Sequence, residues 1–158
     1  MLEPLEPGDG CALAELSRAG RNMALLGPEL FADTRVLATI AALWSVLWAF
    51  PMRWVAGGAM VGVCFTMEPD MENLNVRVAC MFLDPYEAES AVRRYVQLLF
   101  MRYPLHRLLA HVPMFMTDYV EVYQRAGFVM EGVLRDHRWV GGQPQNVALM
   151  GLLRQEFI

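Results

Sequence analysis

Apolar and polar positions alternate between two periods along this chain. Cys11 to Arg18 reads as a helix, with Ala12, Leu13 and Leu16 on one face behind the turn Gly8-Asp-Gly10. Asp9 is placed to cap it and Gly20 to end it. Before it, Leu2-Glu-Pro-Leu5 fits only an edge strand, because Pro4 and Pro7 cannot donate to a ladder. Gly27-Pro28 is a break, and Asp33 or Thr34 can cap a second helix running to about Ala49. That helix is apolar all round, so two of its faces need cover.

A period of two then takes over. Arg53 to Ala56, the pair Gly57-Gly58, and Met60 to Thr66 predict a hairpin. Glu68-Pro-Asp-Met-Glu-Asn73 reads as a polar connection, and Asn75 to Leu83 as the next strand. Asp84-Pro85-Tyr86-Glu87 has the N-cap Asp, first-turn Pro and third-position Glu of a helix start. Ala88, Ala91, Val92, Tyr95, Leu98 and Leu99 follow at helical spacing, and Tyr103-Pro104 ends the run. Leu105 to Val112 predicts a strand, Asp118 to Ala126 a helix stopped by Gly127, and Phe128 to Leu153 a long hairpin turning at Gly141-Gly142. This order defines an α/β or α+β layer fold with a mixed sheet, expected as a single domain over residues 1–158.

Composition changes the picture in three ways. The chain is 56% hydrophobic with a net charge of -4, which excludes disorder and the electrostatic footprint of a nucleic-acid binder. All 13 basic residues are arginine, a pattern that a GC-rich genome explains. Cys11, Cys64 and Cys80 form no CxxC pair; buried free thiols are expected, with no zinc site. The odd cysteine count and the lack of a signal peptide point to a reducing cytoplasm. The uncharged run Val36 to Met52 falls short of the roughly 20 residues of a membrane span and ends at Pro51, so a covered helix, not a membrane segment, is expected.

The segment Tyr123-Gln-Arg-Ala-Gly-Phe128, with Glu131-Gly-Val-Leu-Arg-Asp136, Ala148 to Leu153 and Glu156-Phe157, resembles the closing part of the Gcn5-related N-acetyltransferases (GNAT). The branch that acetylates ribosomal-protein N-termini is the most similar. The resemblance is specific over Leu105 to Phe157, and the element order matches the family topology throughout. It implies a GNAT fold, a mixed and mostly antiparallel sheet flanked by about four helices.

The family holds the pyrophosphate of acetyl-CoA on a glycine-rich turn at the strand-to-helix junction, where bare amides and a helix N-terminus meet. This chain has no glycine between Gly62 and Gly127, and Leu83 runs directly into Asp84-Pro85. Roughly four or five residues, about one helical turn, are missing relative to that pattern. Glu87 and Glu89 fall in the first turn; a carboxylate about 4 Å from a phosphate is repelled by on the order of 4 kcal/mol before screening. Pro113-Met-Phe-Met116 also stands where the family commonly has an asparagine.

These departures lead to the expectation of a non-canonical or pseudo-acetyltransferase with no cofactor, binding an apolar ligand or a protein partner, most simply as a homodimer. The alternatives are an acyl-CoA-dependent N-acyltransferase with an altered cofactor grip, and a lyase or hydrolase on the same fold. If acyl-CoA binds, the resemblance places it on Phe82, Leu83, Arg93 and Arg94. It assigns Tyr123 the role of protonating the departing thiolate and Glu68, in the acidic group Glu68, Asp70 and Glu72, that of a base acting through water. Trp44, Trp48, Cys80 and Met116 are the expected pocket residues. Each has a plain structural alternative: helix-face packing for Tyr123, a solvated loop for Glu68 and core packing for Cys80. His106 and His111 lie five apart, on opposite faces of one strand, and cannot share a metal. His137, beside Arg135, Asp136 and Arg138, reads as an exposed polar edge.

Overall fold

The computed structural model describes residues 1–18 and 50–157. Seven strands form one sheet in the order β1-β2-β3-β4-β5-β7-β6: β1 Leu2–Pro4, β2 Met52–Ala56, β3 Ala59–Asp70, β4 Asn75–Phe82, β5 Arg107–Pro113, β6 Val129–Val140 and β7 Gln143–Leu153. Three helices are described: α1 Gly10–Arg18, α2 Pro85–Arg102 and α3 Thr117–Arg125. The expected second helix, with Trp44 and Trp48, lies outside the described residues. The described end of the Val36–Met52 run is not helical: Met52 is buried and opens β2. No helix among the described residues is long and apolar enough to cross a membrane.

The local signals explain α2. The Asp84 side chain accepts the Tyr86 amide at 3.0 Å, Pro85 stands first, and Tyr103 N–H closes the last turn on the Leu99 carbonyl. Its buried stripe, Ala88, Ala91, Val92, Tyr95, Val96, Leu99 and Phe100, packs on β3 and β4. α1 also packs against β3 and β4. Asp9 belongs to a single 3-10 turn, Pro7–Asp9, and its carboxylate accepts from the Glu6 amide and from Arg53 on β2.

One expectation needs correcting. Glu68-Pro-Asp70, read as a connection, continues β3. The ladder with β4 slips between Met67 and Asp70, and this bulge absorbs Pro69 where no ladder bond is required. Glu68 is bent there to φ 51, an uncommon conformation for a residue with a Cβ.

All neighbouring strands are antiparallel except β4 and β5, which are parallel and pair only from Asn75↔Arg107 to Arg77↔Leu109. Beyond that point the two strands part. β4 keeps β3 as its neighbour, and β5 stays paired with β7 as far as Pro113↔Val147.

Candidate functional site: the gap between two parallel strands

Where β5 leaves β4, the freed edge of β4 needs new partners, because a buried main-chain group without one is costly. α3 supplies them. Tyr119 and Tyr123 are four apart, so their phenols share a helix face, and they are 1% and 2% exposed. The Tyr119 hydroxyl accepts the Phe82 N–H at 2.9 Å and lies 3.4 Å from the Phe82 carbonyl. The Tyr123 hydroxyl lies 3.2 Å from Cys80 Sγ and donates weakly to the Val78 carbonyl at 3.5 Å.

Burial governs the chemistry of this pair. It pushes the Tyr123 phenol well above its ordinary range, with Cys80 adding to the effect. The Cys80 thiol is pushed up to about 12 by burial, while its bond to Tyr123 pulls the other way. At neutral pH both keep their protons. Cys80 is therefore a packed thiol with no nucleophilic thiolate, and Tyr123 is a hydrogen-bond donor.

Arg77, three residues from Cys80 on β4, faces the other side of the sheet. Its guanidinium meets Glu68 at 2.7 Å, Met67 Sδ at 3.1 Å and His111 Nδ1 at 3.1 Å, bridging β3 to β5 where the gap begins. A guanidinium only donates, so Nδ1 of His111 accepts and the ring proton sits on Nε2. Burial lowers the His111 pKa, and Arg77 lowers it further. The proposed catalytic residues Tyr123 and Glu68 thus stand on opposite faces of the sheet, both bordering the start of the gap. Glu68 is 63% exposed at its side chain, open to water.

At the β4–α2 junction four main-chain donors are already engaged. Phe82 N–H goes to Tyr119, Leu83 N–H to the Val61 carbonyl, Tyr86 N–H to the Asp84 side chain and Glu87 N–H to the Asp84 carbonyl. Pro85 has none. A groove of about 410 Å³ lies between this junction and α3. Asp84, Glu89, Asp118 and Glu121 line it, with Arg125 the one basic residue in its wall among the described residues. Arg125 is shared by Glu121 at 3.2 Å and Glu89 at 3.8 Å.

The reading of the first turn is corrected at Glu87. Its carboxylate accepts the Trp54 indole N–H at 2.9 Å and turns to β2, so Glu89 alone of the two glutamates borders the groove. Arg93 donates to the Arg125 carbonyl at 3.1 Å, and Arg94 lies 6.0 Å from the centre of the Trp54 ring. Neither arginine lines the groove. Leu83 is exposed, whereas Phe82 is buried over Gly62, where a Cβ would come within 2.2 Å of its ring.

Of the expected pocket residues, Cys80 and Met116 are core side chains and Trp44 and Trp48 lie outside the described residues. A small apolar cavity of about 20 Å³ sits elsewhere, between Thr66, Val76, Leu99 and Tyr103, and holds at most one water. No group of three or more His, Cys, Asp or Glu among the described residues could hold a metal ion. Sequence reading missed Tyr119, Arg77 and the role of His111. The four-residue spacing of Tyr119 and Tyr123 was the available signal; Arg77 carried none.

The seven-stranded sheet and its gap have the GNAT fold. No family model matches the chain, and no curated protein sequence does. Solved structures match over nearly its whole length. The spermidine N-acetyltransferase of Vibrio cholerae, in complex with CoA and spermine, has a TM-score of 0.86 at 20% identity, covering 99% of this chain and 96% of its own. The ribosomal-protein-alanine N-acetyltransferase of Brucella melitensis has a TM-score of 0.83 at 13% identity, covering 97% and 99%. A probable acetyltransferase has a TM-score of 0.81 at 21% identity, covering 98% and 93%. At these identities the likeness establishes the GNAT fold. It also overturns the expectation of no cofactor, since the Vibrio protein of this fold was crystallised with CoA.

An acyl-CoA has two ends to hold, and the residues present suit one of them. The gap offers a strand edge whose bonds are made by exchangeable hydroxyls, as an extended thioester arm requires. The junction offers a nucleotide diphosphate no free amide among Phe82, Leu83, Tyr86 and Glu87, and a wall of carboxylates.

Proposed function

We propose that this protein is an acyl-CoA-dependent N-acyltransferase with an altered cofactor grip. The parting of β4 and β5 after Arg77↔Leu109 carries this reading. It leaves an edge of main-chain donors and acceptors, Val78 to Phe82, that the hydroxyls of Tyr119 and Tyr123 engage, beside two groups able to handle protons. The thioester supplies the acyl group.

Each residue then has a task that its surroundings permit. The edge at Val78 and Phe82 orients the arm once the phenols yield. Glu68, exposed to water, accepts through water the proton that the amine gives up. Arg77 fixes that carboxylate at 2.7 Å. Tyr123 keeps its proton and donates a hydrogen bond to the leaving sulfur.

An acyl-transfer assay with acetyl-CoA and a panel of amines tests the proposal. Tyr123→Phe is expected to lower kcat by roughly 10- to 100-fold, about what the loss of one hydrogen bond to a developing charge costs. Thiol release from no amine, together with no heat of CoA binding, would overturn it.

One observation favours a second reading. The gap is filled: Tyr119, Tyr123, Cys80 and Phe82 are all buried within it. On that reading the protein is a pseudo-acetyltransferase whose fold serves as a surface for an apolar ligand or a protein partner, most simply a second copy. Sedimentation and mass spectrometry of co-purified ligand distinguish the two.

A further inference from the structure

The groove beside the β4–α2 junction lies where the far end of an acyl donor would leave the gap. Its chemistry is wrong for an anion in three independent ways. Four main-chain donors at the junction, those of Phe82, Leu83, Tyr86 and Glu87, are taken, two of them by Asp84 itself. Asp84, Glu89, Asp118 and Glu121 face the space against Arg125, which two of them already share. Arg93 and Arg94, the nearest other cations on α2, are turned to the C-terminus of α3 and to Trp54.

We infer that the cleft takes its acyl donor by the thioester end alone, so that a truncated acyl thioester serves as well as acyl-CoA. The inference rests on the acyltransferase reading above and adds the donor class. Two or three charge-assisted bonds to a diphosphate would favour the full cofactor by on the order of 100-fold or more. Here those bonds are missing and the wall repels. Transfer from the short donor balances as it does from the long one. The C–N bond forms, the C–S bond breaks, and the proton lost by the amine ends on the released thiol.

The test compares kcat/KM of the full chain for acetyl-CoA, acetyl-pantetheine and S-acetyl-N-acetylcysteamine, using an amine that shows turnover. Calorimetry of CoA and pantetheine at low and high salt accompanies it. The three kcat/KM values are expected within about tenfold of one another. CoA should bind more tightly as salt screens the carboxylates, while pantetheine binding stays flat. In the double variant Asp84→Asn/Glu89→Gln, CoA affinity should rise several-fold with pantetheine unchanged; asparagine retains the helix cap. A preference of 100-fold or more for acetyl-CoA, or CoA binding that weakens with salt, would overturn the inference and leave the acyltransferase reading standing. Consumption of no thioester at all would remove both.

Discussion

Tyr119 illustrates how one side chain holds a site closed. Its hydroxyl takes the Phe82 N–H at 2.9 Å in a fully buried setting. Tyr119→Phe removes that acceptor from a buried donor, which should cost about 1–3 kcal/mol, measured as a lower urea midpoint. A thioester arm that supplies the missing acceptor should then raise the melting temperature of the variant more than that of the parent. Equal shifts in the two proteins would show that no ligand reaches this edge. Little of this was legible beforehand. Tyr123 and Cys80 are both candidates in the sequence, yet their contact spans 43 residues and no local pattern encodes it. The helical turn of Glu87 is legible but its neighbour is not, because its partner Trp54 lies on a strand 33 residues upstream.

Elements were easier to read than contacts. Asp84-Pro85 and Tyr103-Pro104 bracket α2, and Gly141-Gly142 turns the final hairpin; at both places backbone chemistry alone decides the outcome. β3 defied the rule, since its bulge tolerates the proline that argued for a break. The parting of β4 from β5 could not be read at all, because strand partners are chosen by the whole sheet. The end of α2 shows the same dependence. Arg154, after β7, donates to the Phe100 and Leu105 carbonyls at 2.6 Å each and to that of Tyr103, and stacks on the Phe100 ring. It gathers the carbonyls that a helix end leaves unpaired. Arg154→Met should destabilise the protein by about 1–2 kcal/mol, discounted for exposure. Amide exchange should quicken first in the last turn of α2; uniform acceleration would contradict this local role.

At the scale of the molecule, charge is divided between the two faces. Carboxylates gather beside α2 and α3, while Arg77 and Arg138, with His111 and His137 in their field, act on one another across the other face with Glu68 as counter-charge. His111, depressed by burial and then by Arg77, binds its proton more weakly in the fold than in the unfolded chain, where the usual value is about 6.5. Its contribution to stability is therefore complete above that pH and is lost as pH falls from about 6.5 toward the lower folded value. Urea midpoints between pH 7 and pH 5 should fall accordingly, and His111→Gln should flatten the slope. An unchanged slope would remove His111 from the balance.

The sheet is stitched on both sides of its one parallel seam. β4 is fastened to β3, and β5 to β7, independently of anything between them. Prising the seam apart beyond Arg77 would break the Arg77–His111 bond and the phenolic links to β4, but no rung of either ladder. A guest chain could therefore be admitted and released while both halves of the molecule stay intact.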